Sequence, residues 1–271
     1  MDKYAVIGNP ISHSKSPSIH QMFAQQTGED IMYEALLSPV DEFKQTIDAF
    51  RNGGGKGLNV TVPFKQEAFE LADKLSDYAE NAGAVNTLVL EQDGTIFGAN
   101  TDGIGMVRDL VVNHDSQIKD KRILILGAGG AVRGVLQPLL QQLPQQIFIA
   151  NRTPERAMQL SNDMQRLSEG CQLAGGGFAD IQGEYDLIIN GTAASLQGIM
   201  PPIPESCLSK GVHCYDMMYG GRPTAFEYWC EDQAAAKVMN GLGMLIEQAA
   251  ESFSIWRGKM PDTQAVLQAM R

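Results

Sequence analysis

Only four cysteines occur in the 271 residues, Cys171, Cys207, Cys214 and Cys230, and no two form a Cys-x-x-Cys pair. The four histidines are scattered. Neither a zinc-ligand set nor a disulfide framework can be drawn from these residues, so no metal is expected. No apolar run approaches the roughly 20 residues of a membrane-crossing helix. The opening Met-Asp-Lys-Tyr-Ala-Val-Ile-Gly reads as a short strand and not as a secretory leader. Positive charge is scarce, 21 Lys and Arg against 32 Asp and Glu, for a net charge of −11. That balance excludes the basic footprint needed on a phosphate backbone, and so a nucleic-acid partner. It leaves room for a small anion, which needs only local donors. Internal repeats and low-complexity segments are absent. Together these absences predict a cytoplasmic protein that acts on a small molecule, and they leave monomer or homodimer open. What is present is ordinary for a folded chain, with 44% hydrophobic and 20% charged residues.

Short apolar runs alternate with helical patterns throughout, which predicts an α/β fold with parallel strands. Strands are expected at Tyr4 to Ile7, Ile31 to Leu37 and Gly57 to Val62. Ser16-Pro17 reads as a helix start, with serine as N-cap and proline first in the helix. Helices are expected over Val40 to Phe50 and Phe64 to Leu75. A β-hairpin is expected between Val85 to Leu90 and Thr95 to Gly98, through Asp93-Gly94. A helix over Ile104 to Val112 leads to a polar break at Asn113-His114-Asp115-Ser116, which reads as a domain boundary. The pattern then restarts with a strand at Ile123, a glycine turn, a helix through Leu143 and a strand at Gln146 to Ala150. Further strands are expected at Asp186 to Asn190 and His213 to Met217, and a long helix over Met244 to Arg257.

The turn Gly127-Ala128-Gly129-Gly130-Ala131-Val132 follows an apolar strand and opens a helix. Bare backbone at a helix N-terminus lets a dinucleotide pyrophosphate approach. The next strand ends in Asn151-Arg152-Thr153, with Arg156 one turn on, where a carboxylate usually receives the ribose hydroxyls of NAD. Guanidiniums and a hydroxyl suit a 2′-phosphate, which points to NADP. Lys65 falls in a helical first turn, where a cation opposes the macrodipole, and such local misfits mark functional sites. Asp102 also precedes a helical run and could be a plain N-terminal helix residue. An amine and a carboxylate suffice for proton transfer beside a hydride carrier. Ser12, Ser14, Lys15 and Ser16 form a hydroxyl-rich loop fit to bind a carboxylate. Asn59, Thr61 and Asn86 lie in or beside buried strands, where a polyhydroxylated ligand or neighbouring backbone would satisfy them. No tyrosine has a lysine four positions later, so the acid of the short-chain dehydrogenases is missing.

At these residues the sequence resembles the shikimate dehydrogenase family. The likeness runs through Gly8-Asn9-Pro10, Ser14 to Pro17, Asn59 to Lys65, Gly83 to Thr87, Asn100 to Gly103 and Gly127 to Ala131. It continues through Asn151 to Thr153, Tyr215 to Met217, Gly241 to Leu245 and Gln248. The resemblance implies reversible NADPH reduction of 3-dehydroshikimate to shikimate, with Lys65 and Asp102 as catalytic pair. It implies that Ser14 and Ser16 bind the substrate carboxylate, and that Asn59, Thr61, Asn86, Tyr219 and Gln248 line the ring. Gly127, Ala128, Gly129, Gly130, Ala131, Asn151, Arg152, Thr153, Arg156, Met217 and Gly241 would hold the cofactor. The implied architecture has two domains: an α/β substrate domain of 1–103 with the C-terminal helices of 244–271 returning to it, and a Rossmann-like NADP-binding domain of 104–243, with the active site in the cleft between them. Alternatives of the same scaffold are a quinate/shikimate paralogue using NAD and a non-catalytic NADP(H) sensor. Three departures stand out: Asn190-Gly191-Thr192-Ala193 replaces the family's Asn-Ala-Thr-Ser, the stretch Tyr219 to Thr224 is short and Gly-rich, and Val132 replaces alanine or serine.

Overall fold

The structure, a computed structural model, describes residues 1–270. The chain divides into two compact units, one of Met1–Gly105 with Leu245–Arg271, the other of Met106–Met244. The passage between them falls ahead of the polar break at 113–116. That break instead ends a π-helical turn at Asp109–Asn113, inside the second unit.

In the first unit, β1 (Asp2–Gly8), β2 (Ile31–Leu37), β3 (Gly55–Val60), β4 (Lys74–Leu75), β5 (Thr87–Leu90) and β6 (Ile96–Ala99) form one sheet in the order β2-β1-β3-β5-β6-β4. β1 lies parallel to both β2 and β3, whereas β5 runs antiparallel to β3 and to β6. The run Tyr4 to Gly8 is buried, which is why it reads as continuous rather than alternating. Around the sheet lie α1 (Ser16–Thr27), α2 (Phe43–Asn52), α3 (Lys65–Leu71) and α4 (Asp77–Ala82). Ile7, Phe43, Ile47, Leu58, Phe64 and Leu88 share the core of this sheet. α3 stops at Leu71 and does not run to Leu75: Ala72 turns extended, and Lys74 and Leu75 pair with Phe97 and Gly98 of β6.

α5 (Asp102–Arg108) leads out of this unit. The second holds β7 (Arg122–Leu126), α6 (Gly130–Leu140), β8 (Gln146–Ala150), α7 (Pro154–Met164), β9 (Gln172–Gly176), β10 (Tyr185–Asn190), β11 (Leu208–Asp216), α8 (Ala225–Asp232) and β12 (Lys237–Asn240). Its sheet is wholly parallel, in the order β12-β11-β10-β7-β8-β9. Counted from β7, that is the 6-5-4-1-2-3 order of a doubly wound dinucleotide fold, whose strand order reverses between β7 and β10. Separate apolar cores cover its two faces. Finally α9 (Leu242–Arg257) returns the chain to the first unit, where α10 (Thr263–Met270) follows.

Candidate active site

Lys65 is the first residue of α3 and Asp102 the first of α5. In register, Asn59 of β3 faces Thr87 of β5, and Thr87 faces Ala99 of β6. This row carries the chain leaving β3 and the chain leaving β6 to the same edge of the sheet. There Lys65 Nζ meets Asp102 Oδ2 at 2.6 Å. Lys65, an unfavourable cation in a helical first turn, thus gains a carboxylate that is itself favoured at the N-terminus of α5. Asp102 is 14% exposed and Lys65 33%, so the carboxylate is enclosed while the amine keeps an open side. The Asp102 N–H donates to Asn100 Oδ1 at 3.1 Å, and the Asn100 amide donates to Ala84 O.

Behind the pair, Asn86 donates through Nδ2 to Asp102 Oδ1 at 2.8 Å, Thr101 Oγ1 at 2.9 Å and Gln248 Oε1 at 3.3 Å. Its Oδ1 accepts from the Thr101 N–H and the Thr87 hydroxyl, each at 2.9 Å. The backbone donor at Thr101 fixes which end of the amide faces Asp102. Asn59 lies deeper: its Nδ2 donates to Ser252 Oγ at 2.9 Å and Thr87 Oγ1 at 3.2 Å, and its Oδ1 accepts from the Tyr33 phenol at 2.7 Å. Both polar ends of the Asn59 side chain are therefore engaged by the protein. Sequence reasoning missed Tyr33, Thr87 and Ser252 as members of this network. Ser252 lies one helical turn beyond Gln248 on α9, and that spacing was the available signal.

Ser14 and Ser16 also belong to this unit. Ser16 is the first residue of α1 and not its N-cap, so its hydroxyl does not cap that helix; Lys15 holds the cap position. The Ser16 N–H donates to Ser14 Oγ at 3.3 Å. The Thr61 methyl presses on Gly8, where any Cβ would lie 2.5 Å from Thr61 Cγ2. Close below, the buried His20 ring stacks on Tyr33, with centroids 4.1 Å apart and planes 7° from parallel. Burial pushes the His20 pKa down to about 3. Burial likewise raises the Tyr33 phenol well above its ordinary value.

In the second unit, Gly127 (φ 103°) turns the chain out of β7, a conformation only glycine adopts easily. A Cβ on Gly129 or Gly130 would meet nothing within 4 Å, so the backbone there lies open. α6 starts at Gly130 with no side-chain cap, leaving first-turn N–H groups for an anion. At the end of β8, Asn151 Nδ2 donates to Thr153 O at 2.9 Å. α7 then opens with no side-chain cap at Thr153. Arg152 and Arg156 are exposed, and neither forms an ion pair among the described residues. These features fit a phosphorylated dinucleotide. Ala128 and Ala131 lie in the same turn. Met217 is buried beside Gly241, whose Cβ would overlap Met217 O. Tyr219 follows on the same segment, its phenol pKa raised by burial. It belongs to this unit and not to the one holding Lys65.

Two of the departures noted in the sequence fit one another here. A Cβ at Gly191 would overlap Val132 Cγ2 and stand 3.2 Å from Met217 Sδ, so glycine at 191 is what admits valine at 132. Two residues beyond Ala193, Ser195 Oγ accepts from Asn190 Nδ2 at 3.1 Å. Among the described residues no three His, Cys, Asp or Glu side chains are grouped to hold a metal ion, and no helix is long and apolar enough to cross a membrane.

Family models match most of the chain: a shikimate dehydrogenase substrate-binding domain over residues 6–88, a shikimate/quinate 5-dehydrogenase over 109–207 and a shikimate 5′-dehydrogenase C-terminal domain over 241–271. A protein of Hahella chejuensis named shikimate dehydrogenase (NADP(+)) is 53% identical over 271 residues, covering 100% of this chain and 99% of its own. One of the same name from Cellvibrio japonicus is 55% identical, covering 100% and 97%. Among solved structures, the shikimate 5-dehydrogenase of Thermus thermophilus in complex with NADP(H) and shikimate superposes with a TM-score of 0.87. It is 30% identical, with 99% of this chain and 98% of that one covered.

Proposed function

The chain belongs to the shikimate dehydrogenase family, and we propose that Lys65 and Asp102 carry the proton transfer in its NADP-dependent interconversion of 3-dehydroshikimate and shikimate. The 2.6 Å contact between Lys65 Nζ and Asp102 Oδ2 carries this reading. Lys65 Nζ gives its proton to the C3 carbonyl oxygen as that carbon is reduced, and takes one back from the hydroxyl in the reverse direction. Asp102 holds the amine in place and accepts a hydrogen bond from the neighbouring hydroxyl. The Asn86 amide, pinned by the Thr101 N–H, keeps the carboxylate from turning away. Gln248, within reach of Asn86, and Thr61 line the ring. Ser14 and Ser16 take the substrate carboxylate, and Asn59 braces the pocket through its protein partners.

NADPH supplies the hydride when bound. Gly127, Ala128, Gly129, Gly130 and Ala131 would hold its pyrophosphate. Asn151, Arg152, Thr153 and Arg156 would hold its 2′-phosphate, and Met217 and Gly241 would border its nicotinamide end. Four free thiols, all buried, suit a reducing compartment, and we place the protein in the cytoplasm as a monomer or homodimer.

Absorbance at 340 nm with shikimate and either NADP⁺ or NAD⁺ tests the reading. Turnover should favour NADP⁺; equal use of NAD⁺, or preferred turnover of quinate, would favour the broader paralogue. General acid–base help is worth about 10²–10⁴-fold, so Lys65→Ala should lower kcat by that order while KM for shikimate changes little. A variant that kept its turnover would remove Lys65 from the mechanism.

A further inference from the structure

β10, β11 and β12 end in one register row, Asn190 beside Asp216 beside Asn240, at the carboxyl edge of the second sheet. Asp216 is fully buried, yet each group that donates to it is neutral. Oδ1 accepts from Asn190 Nδ2 and from the Met218 N–H, both at 3.0 Å, and Oδ2 accepts from the Thr224 hydroxyl at 2.6 Å. The Ser195 hydroxyl joins the group through Asn190, accepting from its Nδ2 at 3.1 Å. Thr224 Oγ1 also accepts from the Glu227 N–H at 3.2 Å, which leaves its proton available to Asp216. These donors favour the charged carboxyl group, whereas burial raises its pKa. A buried carboxylate without a cation is costly unless its hydrogen bonds serve the fold or the site.

What those bonds join is specific. Asn190 and Ser195 belong to the segment leaving β10, and Met218 and Thr224 to the segment leaving β11. Thr224 continues the chain of contacts: its N–H donates to Glu227 Oε2 at 2.7 Å, and Glu227 Oε1 accepts from Asn240 at the end of β12. The glycine turn after β7 touches the same assembly, since a Cβ on Gly127 would stand 3.1 Å from Thr192 Cγ2. In a doubly wound sheet the ligand sits against these post-strand segments.

We propose that Asp216 is the positioning residue of the cofactor side: its carboxylate clamps the segments 190–195 and 217–224 into the shape that receives the nicotinamide half of NADP(H). This deepens the reading above and rests on it. Asp216 touches no reacting atom. It acts through Asn190, Met218 and Thr224, which set the course of Gly191, Met217 and Tyr219.

The test measures NADPH binding by fluorescence, shikimate binding by calorimetry, and thermal stability. Asp216→Asn turns a donor toward a donor, and should weaken NADPH binding about tenfold or more, the loss expected when a charged hydrogen bond is broken. Shikimate affinity, carried mostly by residues of the first unit, should fall far less than NADPH affinity. Should that variant not fold, Thr224→Val removes one clamp bond and should weaken NADPH severalfold, whereas Thr224→Ser should bind as the wild type does. Unchanged NADPH affinity in Asp216→Asn or Thr224→Val overturns the proposal. So does a parallel loss of both ligands with lowered thermal stability, which would mean a structural role alone. Failure of the wild type to take up NADPH would overturn the cofactor assignment, and this inference with it.

Discussion

Moving from pH 7 to pH 5 should remove about 2 kcal/mol of folding stability through His20 alone. The ring is fully buried against Tyr33, Phe23, Phe253 and Trp256. Burial lowers its pKa from 6.5 to about 3. Over that interval the unfolded chain takes up a proton that the native ring refuses. Stability is therefore fully present above pH 6.5 and falls as the pH drops, by up to about 1.4 kcal/mol per pH unit, until the native ring is protonated near pH 3. From pH 7 to pH 5 the integrated loss hardly depends on the native value, provided it stays below about 4. His20→Phe keeps an aromatic ring in the cluster and removes the titration. Urea unfolding at several pH values should give two curves whose separation changes by about 2 kcal/mol over this span. Other titrating groups, such as Glu29 and Asp163 with lowered values and Asp216 with a raised one, are common to both proteins and cancel in the difference. Parallel curves, or a native His20 resonance titrating near pH 6.5, would refute the reasoning.

Gly191→Ala should cost roughly 1–3 kcal/mol by overpacking against Val132 and should weaken NADPH binding, and adding Val132→Ala should restore both. Denaturant melts and NADPH titrations of the two single variants and the double variant check this; additive losses would deny the pairing. Tyr33→Phe keeps the stack on His20 but leaves Asn59 Oδ1 without its donor. It should lower stability by about 1–3 kcal/mol, measurable by chemical unfolding, and no change would show that the bond contributes nothing.

Lys65 stood out as a cation in a helical first turn, a local property that a linear reading can weigh, whereas Asp102 read equally well as a plain N-terminal helix residue. Their contact was not legible. It depends on β5 and β6 forming a hairpin beside β3, a register that fixes residues 37 positions apart. The Rossmann-like half was read most fully, since β8 and the turn at Gly127 follow from local pattern and glycine spacing. α3 was read too long because helical periodicity persists to Leu75, and pairing with β6 overrides it there. Ser16 was taken for a cap from its place before proline, yet it enters the helix itself. The roles of Tyr33 and Thr87 had no local signature, and that of Ser252 only its spacing from Gln248: Asn59 meets Ser252 across 193 positions.

That last contact bears on the order in which the protein can be made. Residues 106–244 are contiguous, so the second unit has its whole sequence as soon as they leave the ribosome. The first unit must wait for α9, because Gln248 and Ser252 complete the partners of Asn86 and Asn59, and Arg257 ties Asp2 and Glu29 to the end of that helix. During synthesis the amino-terminal sheet therefore stands with its polar interior unfilled while the later-made unit closes. A nascent chain halted before α9 should carry a finished nucleotide fold joined to an immature, protease-sensitive partner.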